Sequence, residues 1–119
     1  MEELINKIES QGWKVSKCNY GDGDTGLELE QYSPAGEDFI FSIWCNDSVD
    51  KAIKEIEDYA YYFDEDEHVE MWVEAKYHGS GNRDAIPSIR ELVYDAEAIH
   101  NMLRELAKFL INEYEIPLF

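Results

Sequence analysis

Leu27-Glu28-Leu29-Glu30-Gln31-Tyr32-Ser33-Pro34-Ala35-Gly36-Glu37-Asp38-Phe39-Ile40-Phe41-Ser42-Ile43-Trp44-Cys45 is the stretch from which the fold follows. Residues 27–32 alternate apolar and polar, the pattern of a strand with one face buried. Residues 33–38 place Pro and Gly at turn positions. Residues 39–45 are aromatic and β-branched, which suits a pleated, half-buried surface. Two strands joined by so short a turn pair antiparallel.

Upstream, Trp13 to Tyr20 alternates as a further strand, and Gly21-Asp22-Gly23-Asp24-Thr25-Gly26 is dense turn chemistry. The three strands therefore predict an antiparallel meander. Before them, Leu4, Ile5 and Ile8 recur at helical spacing and Gly12 supplies a stop, giving a helix over residues 2–11.

Downstream, Ser48 is an N-cap for a helix with Val49, Ala52, Ile53, Ile56, Ala60 and Phe63 on one side. Asp64 and Glu67 have capping-box spacing and open a separate helix with Val69, Trp72 and Val73 inward. Residues 78–83 read as a flexible loop. Ser88 and Glu91 form a capping box after Pro87. The last helix carries Leu92, Ala96, Ile99, Leu103, Leu106 and Leu110 at steps of four and three. That stripe is shorter than about three heptads, so packing across the sheet is favoured over a coiled-coil seam.

The order α-β-β-β-α-α-α predicts an α+β fold and a single domain over residues 1–119. The helices should cover the sheet face bearing Val15, Leu27, Leu29, Phe39, Phe41 and Ile43. Lys14, Ser16, Cys18, Glu28, Glu30, Ile40, Ser42 and Trp44 fall on the other face. Met1 to Ile5 lack the basic region and apolar run of a signal peptide, and no apolar stretch reaches membrane-spanning length. A cytoplasmic, soluble protein without membrane contact is expected.

Few residues suggest chemistry. Cys18 and Cys45 are too sparse for a disulfide framework and fit a reduced compartment. They could meet across strands, but His68, His78 and His100 stand in no zinc-binding spacing. Asp22 to Gly26 with Glu28 hints at a calcium loop, yet Gly26 stands where an oxygen ligand is needed, so a hairpin turn is the simpler reading. No nucleophile elbow, P-loop, dinucleotide fingerprint or deaminase signature occurs. A protein without catalysis, cofactor or metal is expected.

Charge is the outlier. Ten Lys+Arg face 27 Asp+Glu, a net charge of -17, while 45% hydrophobic and 13% aromatic residues argue for a folded chain rather than an acidic tail. Direct nucleic-acid binding is disfavoured because phosphate contact wants a cationic surface. No basic residue lies between Lys17 and Lys51 or between Lys54 and Lys76. We expect Asp58, Asp64, Glu65, Asp66, Glu67, Glu70 and Glu74 to form a partner-facing acidic surface, with Asp22 and Asp24 as a second patch.

Helical carboxylates three or four apart stand about 5–6 Å from one another, and Glu28 and Glu30 on one strand face about 6.6 Å apart. A DNA strand sets one phosphate per about 3.4 Å of axis. A row of such acids, with Tyr61, Tyr62 and Trp72 interleaved, can imitate a nucleic-acid backbone, and its partner would be a basic, nucleic-acid-binding protein. The competing readings are an acidic adaptor or immunity-type protein that binds a basic protein without mimicry, and a solvated face serving only solubility.

In length, charge and the order of a helix, three strands and further helices, the chain resembles small acidic proteins of phages and conjugative elements that block restriction or CRISPR nucleases by mimicking DNA. Residues 32–39 also resemble a segment of uncharacterised mobile-element proteins, which implies no activity. The first resemblance implies an inhibitor acting on a host nuclease. A helix followed by three strands and a helix is similar to the double-stranded-RNA-binding domain as well, but the positions that would face RNA are not basic here.

Overall fold

The structure, a computed structural model, describes residues 1–79 and 88–115. Its elements are α1 (Glu2–Ser10), β1 (Lys14–Gly21), β2 (Asp24–Tyr32), β3 (Asp38–Trp44), α2 (Val49–Tyr62), α3 (Glu65–Gly79) and α4 (Ile89–Glu113). The fold is α+β as expected: one antiparallel sheet in the order β1-β2-β3, preceded by a helix and followed by helices.

Local chemistry sets the boundaries. Gly12 ends α1 at φ +95°, a conformation a side chain would oppose, and its N–H bonds the Glu9 carbonyl. Ser48 caps α2 by accepting from the Lys51 N–H, and Ser88 and Glu91 make both halves of a capping box at α4. The turn expected over residues 21–26 is tighter than that, because Asp24, Thr25 and Gly26 already pair with β1. Gly21, Asp22 and Gly23 hold the turn at positive φ. α3 runs to Gly79, into the stretch read as a loop; residues 80–83 and Pro87 lie outside the described residues.

Leu27, Leu29, Phe39, Phe41 and Ile43 form the buried face of the sheet, with Val15 partly buried beside them. α1, α2 and α4 close over that face. Trp13 meets the edges of Phe39 and Phe41 at centroid distances of 6.4 and 5.5 Å, and Tyr59 stacks on Phe41 at 4.5 Å. The α4 stripe is sealed: Leu92, Ala96, Ile99, Leu103, Leu106 and Leu110 are all 0–1% exposed. Burying each of its Leu or Ile side chains stabilises the fold by about 1.5–3 kcal/mol. Buried Asp95, also on α4, accepts from the Ala35 N–H at 2.9 Å and so ties the β2–β3 turn to that helix.

Candidate functional site

α3 divides its charges by helical geometry. At about 100° per residue, Asp66, Glu70, Glu74 and Glu67 fall within an arc of roughly 100°, and all four are exposed. Asp66, Glu70 and Glu74 stand four residues apart, about 6 Å per step along the axis. The inner side, opposite, carries His68 and Trp72, with Val69 and Val73 falling between them and Asp66; all four are buried or half-buried. Trp72 is 7% exposed and belongs to this inner side. Its place among the outward acids is therefore corrected: its ring lies on the inner side, 6.4 Å from that of His68. Tyr61 and Tyr62, at 78% and 76% exposed, do stand in solvent at the end of α2.

The start of α3 is pinned by polar contacts. Asp64 accepts from the Glu67 N–H at 3.1 Å and caps the helix. Glu65 turns inward, its Oε1 3.0 Å from His100 Nδ1. His100 Nε2 donates to the Ala60 carbonyl at 2.9 Å, joining α2, α3 and α4 at one ring. A carbonyl only accepts, so Nε2 is the nitrogen that carries a proton in this contact. On the other side of α3, His68 Nε2 lies 2.9 Å from Glu37 Oε2 at the β2–β3 turn. The Phe63 ring packs near both imidazoles, at 5.4 and 5.3 Å.

Between the β2–β3 turn, the end of α2 and the start of α3 lies an open groove of about 460 Å³. Glu37, Asp38, Asp64 and Glu67 bring carboxylates to it, while Phe39, Tyr59, Phe63, Tyr62 and Met71 give it aromatic and thioether walls. Burial pushes the Tyr59 phenol up from its ordinary value. Such a lining repels anions and suits a cationic, partly apolar group.

Glu37, Asp38 and His68 were not singled out by sequence. The first two stand in the basic-free run before Lys51, but their approach to α3 depends on a contact 31 residues apart.

The other expected residues are elsewhere. Asp58 pairs with Lys54 at 3.7 Å on the α2 surface, an exposed contact of small energetic weight. Asp22 sits at the β1–β2 tip with φ +51°, and Asp24 accepts from the Asn46 side chain at 3.4 Å. That tip and the groove are at opposite ends of the nine-residue β2, roughly 30 Å apart at about 3.4 Å per residue. Cys18 and Cys45 are free thiols, and burial pushes the Cys45 thiol up, away from nucleophilic reactivity. Among the described residues no cluster of three or more His, Cys, Asp or Glu is placed to hold a metal, and no helix is long and apolar enough to cross a membrane.

No protein-family profile, curated protein or solved structure matches the chain.

Proposed function

We propose that this protein is an acidic decoy that occupies the nucleic-acid cleft of a host defence effector, such as a CRISPR or restriction nuclease, and inhibits it without catalysing any reaction. The supporting observation is the exposed row Asp66, Glu70 and Glu74, with Glu67 beside it, on a chain of net charge -17. A basic protein is the partner, nucleic acid itself is not bound, and a cytoplasmic setting suits two free thiols.

The deciding experiment is competition. A partner captured from host lysate is saturated with this protein and titrated with nucleic acid. Displacement, with affinity falling steeply as salt rises, supports the decoy. A ternary complex rules it out.

The groove favours a second reading. Tyr62 and Met71 are exposed beside its carboxylates, and phosphate mimicry has no need of them. An adaptor binding a basic protein would use those apolar groups as anchors. It would lose affinity on Tyr62→Ala or Met71→Ala and show weak salt dependence.

A further inference from the structure

The two edges of the sheet differ. Cys45 N–H donates to the Thr25 carbonyl at 3.2 Å and Ser33 N–H donates to the Glu37 carbonyl at 2.8 Å, with one-to-one register between these points. The ladder bonds from β3 to β2 therefore belong to Phe39, Phe41 and Ile43. Asp38, Ile40, Ser42 and Trp44 turn their N–H and C=O groups off the sheet, and no hydrogen bond reaches them from other described residues. On β1 the corresponding edge is guarded by Lys14, Lys17 and an irregularity between Asn19 and Gly21. From Phe39 to Trp44, β3 has no lysine, proline, glycine or register shift.

The acidic groove meets this unguarded edge at its start. Asp38, Phe39 and Ile40 are consecutive, so their side chains alternate between the sheet's faces, yet all three line it. A groove touching both orientations runs beside the strand rather than over one face.

We infer that the groove receives an extended, lysine- or arginine-bearing segment of the partner, which joins the sheet as a fourth strand along β3. This rests on the partner being basic, as proposed above. A second copy of the chain is a poor occupant, since it would bring -17 against -17. Main-chain bonds to Ile40, Ser42 and Trp44 supply the affinity, and alternate side chains supply the specificity. One set of side chains meets the carboxylates of Glu37, Asp64 and Glu67. The other lies over Ile40 and Trp44, which are 43% and 49% exposed. Lys51 Nζ already lies 5.8 Å from the Trp44 ring centre, so that ring accommodates a cation.

The probe is a capped peptide of alternating Arg and Val, compared with the same peptide N-methylated at every residue. Charge is equal in the two, but only the first keeps the N–H groups that a fourth strand donates. Amide exchange, read by NMR on the labelled protein, should slow at Ile40, Ser42 and Trp44 and stay unchanged at Phe39, Phe41 and Ile43. The methylated peptide should bind about tenfold more weakly or worse. Equal binding of both peptides, with perturbation confined to α3, overturns the fourth strand and leaves the basic partner standing. Failure of both to bind at low salt overturns both.

Discussion

α4 and α3 attach to the rest of the molecule in opposite ways. Along α4 a stripe of six residues from Leu92 to Leu110 is sealed from solvent, so hydrophobic burial holds that helix. Among the described side chains of α3 only Trp72 is buried, and the helix start is fixed by Asp64, Glu65–His100 and His68–Glu37. Burial is insensitive to which face meets solvent charge, whereas polar contacts depend on single atoms. The helix proposed to offer its acids to a partner thus has the fewest buried side chains of the four among those described.

The largest effects should come from the side held by burial. Leu103→Ala and Phe41→Ala should each cost about 2–5 kcal/mol in denaturant unfolding, because both side chains are buried in the cluster joining sheet and helices. If Leu103→Ala left the monomer unchanged and broke a dimer, the α4 stripe would be an oligomer seam and the comparison would collapse.

How legible each region was in sequence follows the same division. The alternation Leu27-Glu28-Leu29-Glu30 and the steps of four and three along α4 are periodic signals, and periodicity survives without knowledge of tertiary contacts. Ser48 and Ser88 announce helix starts because a cap acts within three residues. The groove had no such signal. His68 and Glu37 are 31 residues apart and His100 and Glu65 are 35 apart, so only the folded chain makes them partners. An acid such as Glu65 looks the same in sequence whether it faces a partner or an imidazole. Asp95, buried against the Ala35 N–H, was invisible for the same reason.

A smaller effect should follow from cutting the joint at His100. His100→Ala removes the donor to the Ala60 carbonyl and leaves Glu65 without its ring contact. The expected cost is about 1–3 kcal/mol, the range for a buried polar group losing its partner. Hydrogen exchange should show the loss mainly at the start of α3, with the centre of α4 still protected. Equal deprotection of both helices would mean that α3 and α4 form one cooperative unit.

Tyr59 sits in the groove wall and stacks on the core, so it reports on both regions. Burial raises its phenol above the unfolded value, which means the folded state keeps its proton longer. The associated stability is fully present below about pH 10, the ordinary tyrosine value, and is lost as pH climbs above it. Tyr20 and Tyr114 are also pushed up by burial, so Tyr59→Phe should shallow the alkaline loss of stability without abolishing it. An alkaline limb identical to that of the unsubstituted protein would place the Tyr59 hydroxyl in contact with solvent.

The smallest effect on the fold, and the sharpest division between the helices, should come from matched charge reversals. On α3 the set is Asp66, Glu67 and Glu70 to Lys; on α4 it is Glu97, Glu105 and Glu113 to Lys, all exposed. Each reversal moves the charge by two, so either set takes -17 to -11. Exposed substitutions shift stability by less than about 0.5 kcal/mol each. On α3 relief of repulsion is partly offset, because Asp66 and Glu67 in the first turn complement the helix dipole by about 0.3–1 kcal/mol. In the unsubstituted protein, raising salt from about 0.01 to about 0.1 M shortens the screening length from about 30 to about 10 Å and should raise the melting midpoint. Both reversed sets should show a smaller rise, since both lower the self-repulsion equally. Partner binding should separate them, collapsing for the α3 set and persisting for the α4 set. Equal loss from the two would show that net charge alone attracts the partner and that the α3 row has no special place in recognition.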